Sequence, residues 1–283
     1  MTNPACERQG ANLARAKLRD VALEPFDTGL GRYRSGFLQR TGMGSNMSSL
    51  VAIGGGEITH ADTEPIDTHV RDLAGGETAA ALFVPTASND APGYCDAFDS
   101  YYGDRLGCET RHLTISDGTP DSARIRSQLD WADLVYVGGG SLPRLLEVWR
   151  ETEFDRMLYQ SWQNGTTVAG LSAGAMCWFA SGLTDAAEGE EYIAVECLDW
   201  VPDLACTAHA TRARRRAFQA SLGRGQAGLA LEDGAAVELD DGGYRIHSAT
   251  GVESVYHYRY GETGIEVSEL PQRESFTDIA TLR

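Results

Sequence analysis

Four short apolar runs, each ending in glycines or small hydroxyl residues and each followed or preceded by a helical pattern, constrain the fold of this chain most. Leu50-Val51-Ala52-Ile53 runs into Gly54-Gly55-Gly56, and Ala81-Leu82-Phe83-Val84 into Pro85-Thr86-Ala87-Ser88. Leu134-Val135-Tyr136-Val137 runs into Gly138-Gly139-Gly140, and Thr167-Val168-Ala169 into Gly170-Leu171-Ser172-Ala173-Gly174. Such uniformly apolar runs read as strands buried on both faces. Helical patterns lie near residues 65–73, 92–102, 121–130 and 142–150; in the last, Leu142, Leu145, Leu146 and Trp149 share one face. This alternation predicts an α/β fold of three layers, a mostly parallel sheet with helices on both faces. Short strands at 228–231, 236–239 and 244–246, and the alternating stretch 254–260, predict an antiparallel C-terminal extension of that sheet.

Residues 1–46 differ from the rest. They are polar, without sustained periodicity, and read as a loosely ordered N-terminal extension in which 12–24 could form a short helix. Met43 or Met47, just before the first strand, could be the true start. Residues 47–283 then form a single α/β domain, with no repeat and no linker from residue 50 onward.

Composition removes several functions. The 283-residue chain carries a formal net charge of −17, and Lys17 is its single lysine. That acidic surface suits a salt-adapted protein and repels nucleic acid and anionic membranes, which bind through basic groups. No apolar run approaches the roughly 18 residues of a membrane span, and nothing at the N-terminus directs export. The six cysteines show no paired spacing and read as reduced, mostly buried thiols of a cytoplasmic protein. No metal-ligand cluster appears, and Gly54-Gly55-Gly56 lacks the context of a dinucleotide site, so no cofactor is implied. Oligomeric state is open, a homodimer included.

Ligands on such a sheet bind at the carboxyl ends of its strands, and one of those ends holds the chemistry. Gly170-Leu171-Ser172-Ala173-Gly174 places a serine between glycines at a turn from strand to helix, with Ala175 to Phe179 read as a buried helix start. A β-carbon on either side would collide in so tight a turn, and the serine hydroxyl is lifted clear of the chain. Backbone N–H groups there can stabilise developing negative charge. A serine nucleophile needs a base, and the base needs an orienting acid. Among six histidines, His209 is the best base, between the strand-like Leu204-Ala205-Cys206-Thr207 and a helix opening at Thr211. Its alternative role is that of a hydrogen-bonded structural histidine. His112 and His257 flank or alternate within strands, and His60 and His69 need only exposed positions. The acid is Asp233 or its neighbour Glu232, at the end of the next strand. The other order, serine then acid then histidine, would pair Asp233 with His247 or His257.

Taken together, Gly138-Gly139-Gly140-Ser141, the Ser172 elbow, His209 with Thr211, Arg212 and Arg215, and Ala230 to Ala235 resemble the peptidase E (aspartyl dipeptidase) and cyanophycinase family of serine peptidases. Residues 51–56 and 84–88 match that family's first two strand ends, so the likeness spans about 50–250. The resemblance implies a class I glutamine amidotransferase-like fold in which serine replaces the catalytic cysteine. It implies Ser172 as nucleophile, His209 as base and Asp233 or Glu232 as acid. The N–H of Ala173 and of Gly139 or Gly140 would form the oxyanion hole, with Ser141 and Arg212 binding substrate. An arginine of Thr211-Arg212-Ala213-Arg214-Arg215 would recognise an N-terminal aspartate; alternatively Arg212, Arg214, Arg215 and Arg216 are a solvated helix face. The implied activity is cleavage of short peptides, N-terminal Asp-X dipeptides foremost. The alternatives are a cyanophycinase-like hydrolase of β-aspartyl-arginine peptides and a non-catalytic scaffold of the same fold.

Overall fold

A computed structural model describes residues 49–116, 118, 121–186 and 191–283. The expected 1–46 extension, with Cys6, lies outside the described residues.

In chain order the elements are β1 (Leu50–Ile53), α1 (Glu64–Leu73), β2 (Ala80–Val84) and α2 (Pro92–Phe98), which continues as a π-helical segment, Asp99–Arg105. Then follow β3 (Glu109–His112), α3 (Ser122–Trp131), β4 (Leu134–Val137), α4 (Leu142–Thr152), α5 (Phe154–Gln163) and β5 (Thr167–Leu171). After the single turn of α6 (Ala173–Met176) come β6 (Phe179–Asp185), β7 (Tyr192–Glu196), β8 (Val201–Thr207), α7 (Arg212–Ser221) and β9 (Ala227–Leu231). The chain closes with β10 (Ala235–Asp240), β11 (Gly243–Ser248), β12 (Val255–Gly261), β13 (Gly264–Leu270) and β14 (Thr277–Asp278).

The main sheet runs β14-β11-β10-β1-β5-β4-β2-β3, and its five strands from β1 to β3 are parallel. β1, β2, β4 and β5 are buried on both faces, as their near-continuous apolar composition requires. In β1, Leu50 and Ala52 face the layer containing α3, α4 and α5, while Val51 and Ile53 face α1 and α2. Strands β10, β11 and β14 extend this sheet antiparallel beyond β1. The rest of the tail goes elsewhere: β9, β12 and β13 join β6, β7 and β8 in a second sheet, ordered β13-β12-β9-β8-β6-β7.

The elbow's expected helix is shorter than its apolar composition suggests. It stops after one turn, and Phe179 begins β6 rather than continuing a helix. Trp178, in the turn between them, packs against Trp149 of α4 (centroids 5.8 Å apart) and against Trp200 (4.7 Å), which also stacks on Trp162 of α5. These four rings are fully buried, each contributing about 2–3 kcal/mol from burial alone. They fasten the chain that leaves the elbow to the helical layer behind it.

All five described cysteines are buried and unpaired with one another, as expected of structural thiols. Among the described residues no helix is long and apolar enough to cross a membrane.

Candidate functional site

Ser172 leaves β5 with φ 56° and ψ −111°, a conformation L-residues rarely adopt. Holding a serine there costs about 1–3 kcal/mol, and the surrounding contacts explain how it persists. A β-carbon at Gly170 would lie 2.2 Å from the carbonyl oxygen of Gly174, and one at Gly174 would lie 2.3 Å from that of Val137. The two glycines let the turn close on itself and on β4, and the Ser172 N–H donates to the Ile53 carbonyl at 3.0 Å.

The other two side chains come from the second sheet. His209 follows β8, with φ 48°, and Asp233 follows β9 in the turn that crosses to β10 in the main sheet. His209 Nε2 lies 2.8 Å from Ser172 Oγ, and His209 Nδ1 lies 2.6 Å from Asp233 Oδ1. An ionised carboxylate can only accept, so Nδ1 carries the hydrogen and the Nε2 lone pair faces the serine hydroxyl. The side chains of His209 and Asp233 are 39% and 64% exposed, so the group opens directly onto solvent.

Three successive carbonyls at the end of β1 align these loops. Ile53 O accepts from Ser172 N at 3.0 Å, Gly54 O from His209 N at 3.0 Å, and Gly55 O from Gly234 N at 2.9 Å. Gly55 must be glycine, because a β-carbon would lie 2.0 Å from Asp233 Oδ1 and 2.5 Å from His209 Nδ1. The sequence shows Gly54-Gly55-Gly56 but gives no sign of this role; only the crossing of a second sheet over β1 reveals it.

The remaining expected residues divide. Glu232 is turned away from the histidine, and its Oε2 accepts from Ser254 N at 3.1 Å. Neighbouring residues at a strand end point to opposite sides, so only Asp233 reaches His209. Gly139 lies against the serine, a β-carbon there being 3.3 Å from Ser172 Cβ, but its N–H donates to Tyr94 Oη at 3.2 Å. The N–H groups of Gly140 and Ala173 have no partner among the described residues. Ser141 is exposed and caps α4, its Oγ accepting from Arg144 N at 3.3 Å. Arg212, first residue of α7, is exposed and has no side-chain partner among the described residues. Arg214 is buried, paired with Asp185 and set over Tyr192, and Arg215 lies over Tyr256 at 3.8 Å. The helix face is thus partly solvated and partly committed.

The other histidines stand apart. His247 and His69, the latter half-buried rather than simply exposed as expected, both direct Nε2 at Glu238 Oε2, at 2.7 and 2.9 Å. With Glu238 they converge as three metal ligands would. Arg245, however, already fills the carboxylate, its Nε at 2.6 Å from Oε2 and Nη2 at 3.1 Å from Oε1. Burial raises the Glu238 pKa, but hydrogen bonds from His247, His69 and Arg245 outweigh it and hold the group well below the carboxylate range. This is an internally neutralised network. His112 bonds Asp99 and His257 bonds the Leu282 carbonyl, both structural roles, and His60 is exposed.

Residues 50–247 match the model of peptidase family S51. Over 230 residues the chain is 30% identical to an uncharacterised peptidase, YgaJ, of Bacillus subtilis (strain 168), covering 80% of this chain and 97% of that protein. The crystal structure of a peptidase from an acI-B1 actinobacterium superposes with a TM-score of 0.63 at 17% identity, covering 83% of this chain and 98% of that one. A candidate peptidase E from Listeria monocytogenes EGD-e superposes with a TM-score of 0.52, also at 17% identity, covering 79% and 99%.

Proposed function

From the premise that this chain belongs to peptidase family S51, we propose that Ser172, His209 and Asp233 form the catalytic triad of its serine-type peptidase activity on small peptides. One observation carries the assignment: the unbroken hydrogen-bonded path from Asp233 Oδ1 through His209 to Ser172 Oγ, at 2.6 and 2.8 Å.

His209 Nε2 accepts the Ser172 hydroxyl hydrogen as Oγ bonds to the peptide carbonyl carbon, and the carbonyl π pair moves onto oxygen. Asp233 fixes the tautomer and offsets the imidazolium charge that forms. The tetrahedral intermediate collapses when His209 Nε2–H protonates the departing amine, leaving an acyl group on Ser172. Water then attacks that ester with His209 again taking the proton, and the enzyme is regenerated. The Ala173 N–H, at the elbow, is one donor to the oxyanion.

Substrates are N-terminal Asp-X dipeptides on this reading. Arg212 stands three residues after His209 with its guanidinium free of described partners, so it can fork onto an aspartate carboxylate. The open site suits a short, mobile peptide.

The test is hydrolysis of Asp-Leu, Glu-Leu, Ala-Leu and β-Asp-Arg by wild type and Ser172→Ala. Molar salt is used because the net charge is −17. The expected result is preferential cleavage of Asp-Leu, with the variant slower by at least about 10⁴-fold. Cleavage of β-Asp-Arg alone would replace the Asp-X reading with a cyanophycinase-like one. Full activity in the variant would overturn the triad.

A further inference from the structure

The Gly139 N–H, one of the donors expected to stabilise the intermediate, is already engaged by the Tyr94 hydroxyl. Tyr94 lies on α2, and its ring packs against Phe83 and Gly138. It packs edge-on against Phe83 with centroids 4.9 Å apart at 78°, and Phe83 in turn stacks on Phe98 at 4.4 Å. Gly138 borders both rings: a β-carbon there would lie 2.8 Å from Tyr94 Cε1 and 3.0 Å from Phe83 Cζ. A ring held this way cannot swing its hydroxyl off the Gly139 N–H without repacking its neighbours.

A tyrosine hydroxyl accepts through its lone pairs and donates one hydrogen. Gly139 uses a lone pair, and no described residue accepts the hydrogen. Burial raises the Tyr94 pKa, so the group stays protonated, and a donor, through the neutral range. The same glycine borders the nucleophile, a β-carbon on it falling 3.8 Å from Ser172 Oγ.

The geometry points to Tyr94 as a side-chain donor of the oxyanion hole, its O–H meeting the developing oxyanion while the Gly139 N–H supports it from behind. This rests on the reading of Ser172 as the attacking group. An N–H that donates into the hydroxyl oxygen polarises the O–H beyond it. No proton is transferred: the hydrogen remains on Tyr94 and only the charge on the former carbonyl oxygen is stabilised.

Tyr94→Phe keeps the ring, removes the hydroxyl and frees the Gly139 N–H. The expected result is a fall in kcat of about 10²-fold with KM within about twofold, at an unchanged thermal midpoint. Labelling of Ser172 by a fluorophosphonate should slow in parallel. An unchanged or raised kcat would overturn the proposal, because the hydroxyl would then be only a plug on Gly139. Wild type that is labelled yet cleaves no peptide would sink the peptide reading and leave the labelling rates to decide Tyr94. Wild type that is not labelled would overturn both.

Discussion

Asp233→Asn tests the proposed orienting acid with little change in shape. In the wild type, Oδ1 accepts the Nδ1 hydrogen of His209 across 2.6 Å. An asparagine that turns its amide nitrogen to Nδ1 can only donate, so the histidine hydrogen moves to Nε2. Nε2 then faces Ser172 Oγ, 2.8 Å away, with no lone pair to accept the serine hydrogen. Loss of the correct tautomer costs about 10⁴ in kcat, or about 5.5 kcal/mol of transition-state stabilisation. Glu232→Gln is the matched control: its carbonyl oxygen can still accept from Ser254 N, so kcat/KM should stay within about threefold. Steady-state hydrolysis of the preferred dipeptide and the rate of Ser172 labelling by a fluorophosphonate both report the effect. A loss under tenfold in Asp233→Asn, or an equal loss in Glu232→Gln, would refute the assignment of Asp233.

Gly55→Ala should disable the site without removing any reacting group. Its β-carbon would fall 2.0 Å from Asp233 Oδ1, and displacing the pair by about 1 Å costs on the order of 10² in rate, read by the same dipeptide assay. Asp67 concerns stability rather than catalysis: burial pushes its pKa from 3.8 up to about 6, against hydrogen bonds from Thr63, Tyr102 and Tyr101. The folded state holds this proton more tightly than the unfolded chain, so its contribution is full below pH 3.8 and is lost as pH rises through 6. That gap is worth about 3 kcal/mol. Asp67→Asn should therefore remove about that much of the fall in stability between pH 4 and 8, measured by urea unfolding; identical pH slopes in the two proteins would refute it.

The parts of the fold legible in the sequence were those whose patterns have one interpretation. β1, β2 and β4 are apolar throughout and β5 is so after Thr167; each runs into small residues and lies where those runs predict. The second sheet was legible only in pieces: 204–207, 228–231 and 254–260 read as strands, but not as a sheet of their own. Cys177-Trp178-Phe179 is apolar without a period, and such a run fits a helix or a strand equally. β3 alternates exposed and half-buried residues at the sheet edge, which leaves no apolar signature. α5 was hidden because only Glu153, in the left-handed region at φ 54°, separates it from α4. Ser172, His209 and Asp233 could be read as strand-end residues because each follows an apolar run. The choice between Asp233 and Glu232 could not, since it depends on which side of the turn each faces. Tyr94 carries no local signal at all, as its contact with Gly139 spans 45 residues.

The proposed triad lies where two sheets meet, and the end of β1 ties together the loops that carry it. Ser172 leaves the main sheet, while His209 and Asp233 leave the second, so no single sheet fixes all three. Backbone spacing supplies what neither sheet can. Consecutive carbonyls at Ile53, Gly54 and Gly55 take one N–H each from the serine loop, the histidine loop and the Asp233 turn. Those peptides are held in place by the pairing of β1 with β5 and β10, and by the Gly54 N–H, which donates to the Ala235 carbonyl at 2.8 Å. The arrangement also accounts for the glycines. A β-carbon at Gly54 would lie 2.2 Å from the Glu232 carbonyl oxygen, and one at Gly55 would strike the His209–Asp233 pair itself. The first glycine-ending strand of the sequence thus contributes no side chain to the proposed triad; its backbone accepts one N–H from each of the loops that do.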